Sequence, residues 1–77
     1  MQPTILILER EHPADLDCYR AAIAKAYPDA ELILAATPAE AEARGTSASI
    51  LIGKAHGIPA TLVAAMPHLR WIQALTT

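Results

Sequence analysis

The sequence predicts an α/β domain built on a parallel sheet, and three observations predict it. Short apolar segments of strand length alternate with segments of helical period from one end of the chain to the other, in the order βαβαβαβ. The apolar segments are hydrophobic on both faces, as strands covered from both sides must be. Connections are short, which implies right-handed crossovers with helices on both faces of the sheet. Seventeen alanines and no phenylalanine make most apolar positions small, which suits helices packed closely on a sheet.

Thr4 to Leu8 is the first strand, ending at Glu9-Arg10. His12-Pro13 opens a helix with proline at its first position and Asp15 and Asp17 in the first turn, where acidic groups complement the dipole. Leu16, Tyr19, Ile23 and Tyr27 recur at helical spacing, Lys25 lies in the last turn, and Pro28-Asp29 stops the helix. Glu31 to Ala35 is the second strand. Thr37-Pro38-Ala39-Glu40 reads as a capping box opening a short helix that ends at Gly45. Ser49 to Ile52 is the third strand and Gly53 to Gly57 a loop. Pro59 to Met66 is a third helix presenting Leu62, Val63 and Met66, closed by Pro67, and Leu69 to Leu75 is the fourth strand.

Such a sheet must be covered twice, yet three helices serve four strands and at least one strand face is left bare. The simplest expectation is the front part of a larger α/β domain, with residues 1–77 as its opening segment and the remaining cover from further sequence or a partner chain. A domain of this length buries only about 60% of its unfolded surface in any case.

Composition excludes several function classes. The chain is 53% hydrophobic and 18% charged, which is not the signature of disorder, and its one cysteine forms no disulfide framework. A net charge of −2 gives no broad positive field for nucleic acid or anionic lipid. Near the start the longest apolar run is Ile5 to Leu8, too short for a signal-peptide core or a membrane span. The expected setting is soluble, reducing and cytoplasmic.

Motifs that carry chemistry are sparse. Gly53-Lys54 fails as a phosphate-binding loop, because Ala48 stands where that pattern needs glycine and Ala55 where it needs a hydroxyl. No Gly-x-Gly-x-x-Gly is present, so no dinucleotide-binding residue is assigned. Cys18 is expected to be a plain helix residue, and His12, His56 and His68 match no metal-ligand spacing. Ligands of open α/β sheets bind outside the carboxyl ends of the strands. The loops there are Glu9 to His12, Ala36-Thr37, Gly53 to Gly57 and Thr76-Thr77. The third joins glycines to a fixed cation, Lys54, and an imidazole, His56, which suits an anionic ligand. The plainer reading is a solvated connection whose glycines supply positive φ.

Met66-Pro67-His68-Leu69-Arg70-Trp71-Ile72-Gln73-Ala74-Leu75-Thr76-Thr77, with Ile50-Leu51-Ile52-Gly53 and the helix from Pro59, resembles the N-terminal segment of the D-isomer-specific 2-hydroxyacid dehydrogenases, of the glyoxylate/hydroxypyruvate reductase type. The resemblance implies a partial flavodoxin-like, Rossmann-like three-layer domain: a substrate-binding domain interrupted by a coenzyme domain that this chain does not contain. It implies an oxidoreductase transferring hydride between NAD or NADP and a small 2-keto or D-2-hydroxy acid, in a parent protein that is a homodimer by analogy. Backbone amides of the loop after the fourth strand, at Thr76 and Thr77, would hold the substrate carboxylate. Lys54, Ala55 and His56 would line the same cleft, with Lys54 adding long-range attraction. The family's catalytic arginine, its glutamate–histidine pair and its glycine fingerprint all fall after Thr77, so no catalytic residue is assigned and the segment alone is expected to be inactive. Arg70 enters the fourth strand at the wrong end for catalysis.

Two other classes share this topology. A stand-alone receiver-type module needs acidic residues after the first strand, which Glu9 and Glu11 could supply, but Gly53-Lys54 stands where its phosphoacceptor belongs. A non-enzymatic dimerising module would use the uncovered sheet as its interface.

Overall fold

In the computed structural model, which describes residues 3–75, four parallel strands form one sheet: β1 (Thr4–Leu8), β2 (Glu31–Ala35), β3 (Ile50–Gly53) and β4 (Trp71–Ala74). Their order is β2-β1-β3-β4. Between them lie three helices, α1 (Leu16–Ala26), α2 (Pro38–Arg44) and α3 (Ala60–Ala64). Pro13–Asp15 and Ala55–Gly57 form single 3-10 turns. No helix among the described residues is long and apolar enough to cross a membrane.

β1 is hydrogen-bonded on both sides, which is why its run Thr-Ile-Leu-Ile-Leu has no polar face. The register sorts the side chains into rows. Ile33, Leu6, Leu51 and Ile72 stand in one row, and Ala35, Leu8, Gly53 and Ala74 in the next, on one face of the sheet. Ala41 of α2 and Leu62 of α3 pack onto that face with Met66 and Ala48, forming the main core. Gly45 permits the close approach: a Cβ there would stand 2.6 Å from Leu6 Cδ2 and 2.9 Å from the Ala41 carbonyl.

On the opposite face, Leu32, Ile5, Ile50 and Trp71 form one row and Leu34, Ile7, Ile52 and Gln73 the next. α1 covers the β1–β2 side of it, and none of its residues is fully buried. Over β3 and β4 the face is open. A groove of about 280 Å³ runs there between Ile23 and Tyr27 on one side and Ile50, Ile52 and Trp71 on the other, with Trp71 62% exposed. The bare strand face expected from the helix count is thus the α1 face of β3 and β4.

Several boundaries differ from the sequence expectation, each for a tertiary reason. β3 runs Ile50–Gly53 rather than Ser49 to Ile52, because Gly53 stays in register with Leu8 while Ser49 accepts from the N–H groups of Arg70 and Trp71. The third helix is Ala60–Ala64, shorter than Pro59 to Met66: Pro59 is an extended N-cap, and Met66 precedes a proline, which disfavours helical backbone. β4 is Trp71–Ala74 rather than Leu69 to Leu75, since an edge strand can pair only along the four residues of its one neighbour.

The expectation of positive φ at the loop glycines is corrected: no described glycine has positive φ. Gly53 is required by proximity instead, because a Cβ on it would stand 2.9 Å from the Leu8 carbonyl oxygen. That oxygen belongs to neighbouring backbone and cannot swing away. Gly53→Ala is therefore expected to lower stability by about 1–3 kcal/mol in urea titrations, the usual range for an overpacked interior. A wild-type midpoint would show that the two strands separate freely there.

Candidate functional site

The strand order creates one switch point. The chain leaves β1 toward α1 on one face and leaves β3 toward α3 on the other, so the crevice between those two loops opens at the carboxyl end of the sheet. The residues filling it continue the β1–β3 register past the strand ends. Ile7 pairs with Ile52 and Leu8 with Gly53. The next rung on the α1 face is Glu9 with Lys54, and two residues further out Glu11 meets His56. An apolar row thus turns charged as it leaves the core.

Glu9 is the inner anchor. It lies in phase with Ile5 and Ile7, is only 1% exposed, and its N–H donates to the Ala35 carbonyl at 3.0 Å. Its Oε2 stands 3.4 Å from Lys54 Nζ and accepts from the N–H groups of Glu11 at 3.1 Å and His12 at 3.0 Å. Oε1 is buried without a hydrogen-bond partner among the described residues. Burial alone would push the Glu9 carboxyl up, but the His12 N–H, the Lys54 ammonium and the Glu11 N–H together hold it below its ordinary value. Tyr19 of α1 shares this environment: burial, then the nearby Glu9 and Asp15 charges, raise its hydroxyl above the ordinary tyrosine value.

The outer contacts are solvent-exposed. His56 Nε2 contacts Glu11 Oε1, and Arg10 donates to the Gly57 carbonyl at 3.4 Å. Hydrogen bonding to His56, the His56 charge, and the charges of Lys54 and His12 lower the Glu11 carboxyl below its ordinary value. Glu9, Arg10 and Glu11 each reach across to the segment Lys54–Gly57, so the two loops are clasped by three consecutive residues.

Of the residues expected to bind substrate, Lys54 and His56 are brought together at the switch point, and Ala55 begins the 3-10 turn between them. Thr76 and Thr77 lie outside the described residues. Lys54, expected as a fixed cation for an anionic ligand, has its ammonium matched by Glu9. Glu9 and Glu11, considered as a receiver-type acidic pair, are each met by a side chain of the opposite loop, Lys54 and His56. His12 is exposed and meets the cluster through its backbone N–H on Glu9 Oε2, His68 is exposed, Cys18 is exposed on α1, and no group of three or more potential metal ligands gathers among the described residues.

The burial of Glu9 was missed by sequence reasoning. Its signal is the period of two running on from Ile5 and Ile7, with a lysine in the same phase after Ile50 and Ile52. Comparison of the chain with protein-family models, with curated proteins and with solved structures gives no match.

Proposed function

We propose that the chain is the opening part of the substrate-binding lobe of a 2-hydroxyacid dehydrogenase, a partial flavodoxin-like domain whose switch-point loops receive a small 2-keto acid. The observation that carries the reading is the convergence of the loops after β1 and β3 on one crevice, with Lys54 and His56 at its wall. The bare face over β3 and β4 supports it, because a lobe completed by further sequence would cover Trp71 and Ile52.

With Lys54 neutralised by Glu9, the substrate carboxylate is held by His56 together with backbone N–H groups, whose short charge-assisted bonds suit a partly dry cleft. A dinucleotide does not fit these residues. The N–H groups of Glu11 and His12, where a pyrophosphate would need donors, are already taken by the Glu9 carboxylate, and that charge repels phosphate. NAD or NADP therefore belongs to sequence outside this segment.

The test is turnover. A chain extended past Thr77 by whatever its gene encodes is expected to oxidise NADH or NADPH saturably with glyoxylate or hydroxypyruvate, while residues 1–77 alone do not. Turnover by the 77-residue chain, none by the extended one, or a gene that ends at Thr77 would each defeat the reading.

The Tyr27–Trp71 groove favours a second reading, a non-enzymatic module that dimerises through its open sheet face. Sedimentation showing a compact monomer independent of concentration would count against that.

A further inference from the structure

We propose that the Glu11 carboxylate is an internal stand-in for the ligand: resting on His56, it occupies the seat that an incoming carboxylate takes, and it must swing out before an anion binds. The inference deepens the dehydrogenase reading and rests on it only for the class of ligand, a small 2-keto or dicarboxylic acid.

Three observations lead to it. Lys54, its side chain 14% exposed, is paired with the fully buried Glu9, so that pair stays closed when ligand arrives. Glu11 by contrast sits among cationic or protonatable groups, with His56, Lys54 and His12 all acting on its carboxylate, which is the environment of an anion site filled by the protein's own side chain. And the Glu11–His56 contact is shallow, its side chains 51% and 64% exposed, so it is held weakly and can be displaced. Glu11 reaches this seat from the loop after β1 while His56 stands on the loop after β3, so a ligand replacing Glu11 would exchange a contact between the two loops for its own contact with His56.

Amide shifts of residues 9–12 and 53–57 in the 77-residue chain, followed as oxalate is added, test this directly. Glu11→Gln removes the competitor and is expected to bind oxalate about two- to five-fold more tightly than wild type, as befits an exposed pair. His56→Gln removes the seat and is expected to bind more weakly than wild type. Glu42→Gln makes the same change of charge on the exposed side of α2 and should leave affinity close to wild type. Both loop positions are exposed, so circular dichroism should be unaltered.

Equal or weaker binding by Glu11→Gln, an equal gain in Glu42→Gln, or no saturable shift in these loops in any variant would overturn the inference. Its failure is separable from that of the dehydrogenase reading. An extended chain that reduces 2-keto acids while Glu11→Gln gains nothing defeats only the stand-in. The variant pattern without turnover in the extended chain defeats only the dehydrogenase.

Discussion

Lys54→Met is expected to destabilise the fold by about 2–3 kcal/mol at pH 7, because it leaves the Glu9 carboxylate buried without its partner charge. Breaking a fully buried pair typically costs about 3–5 kcal/mol. Glu9 is sealed from solvent but thinly covered at the end of the sheet, and Lys54 is 14% exposed, so the expected loss lies at or just below the bottom of that range. For a chain of this size, whose whole stability is about 4–12 kcal/mol, that is a large fraction. Removing both charges with Glu9→Gln and Lys54→Met together should recover most of the loss, since the cost lies in the orphaned charge rather than in the missing attraction.

The pH dependence follows from the direction in which Glu9 is shifted. Its folded-state carboxyl lies below the ordinary 4.5, so its stabilisation is present above that value and is lost as pH falls through the folded one. Wild type should therefore lose stability progressively below about pH 4.5, while Glu9→Gln lacks this component. In Lys54→Met burial is less opposed, the carboxyl rises, and the deficit against wild type narrows as the solution is acidified. Urea titrations at about pH 7, 5 and 3.5 read all three curves. A Lys54→Met deficit under about 0.5 kcal/mol at every pH would show that water reaches Glu9 freely.

Leu6→Ala is expected to cost about 3–5 kcal/mol, the range for a leucine removed from a rigid core. Leu6 is 0% exposed at the centre of β1, packed against the backbone at Gly45 and flanked by Leu51. Sheet backbone lies beneath it and α2 above, so neither wall can close on the void. Ile72→Ala, in the same cross-strand row but on the edge strand and 46% exposed, should cost under about 1 kcal/mol. Similar losses at the two positions would mean that β4 is covered in solution, which thermal melts at several protein concentrations would separate into self-association or intrinsic packing.

Local chemistry was legible. Thr4 to Leu8 and Glu31 to Ala35 match their expected bounds because each carries a short apolar run, buried in the central strand and half-buried in the edge strand. The Thr37 cap was readable because threonine before Pro38 can do little else: its Oγ1 accepts from the Glu40 N–H at 3.1 Å, although the Glu40 carboxylate returns to the Ala36 N–H at 2.7 Å rather than to Thr37 itself. α3 and β4 are shorter than their sequence patterns because their ends depend on what they pack against. Lys54 and His56 were singled out by residue type, but Glu9 was not placed with them, since the contact joins residues 45 positions apart.

The amino-acid sequence by itself determined the alternation of elements, the apolar interior of the first two strands and the presence of basic side chains at the carboxyl end of the third. Those features depend on neighbours within a few residues, through propensity, capping and periodicity. Tertiary structure alone decided that β1 lies between β2 and β3, that Glu9 rather than a ligand receives the Lys54 charge, and that the open face falls over Trp71. Strand order and register depend on how whole elements share one core, and no local pattern carries that information.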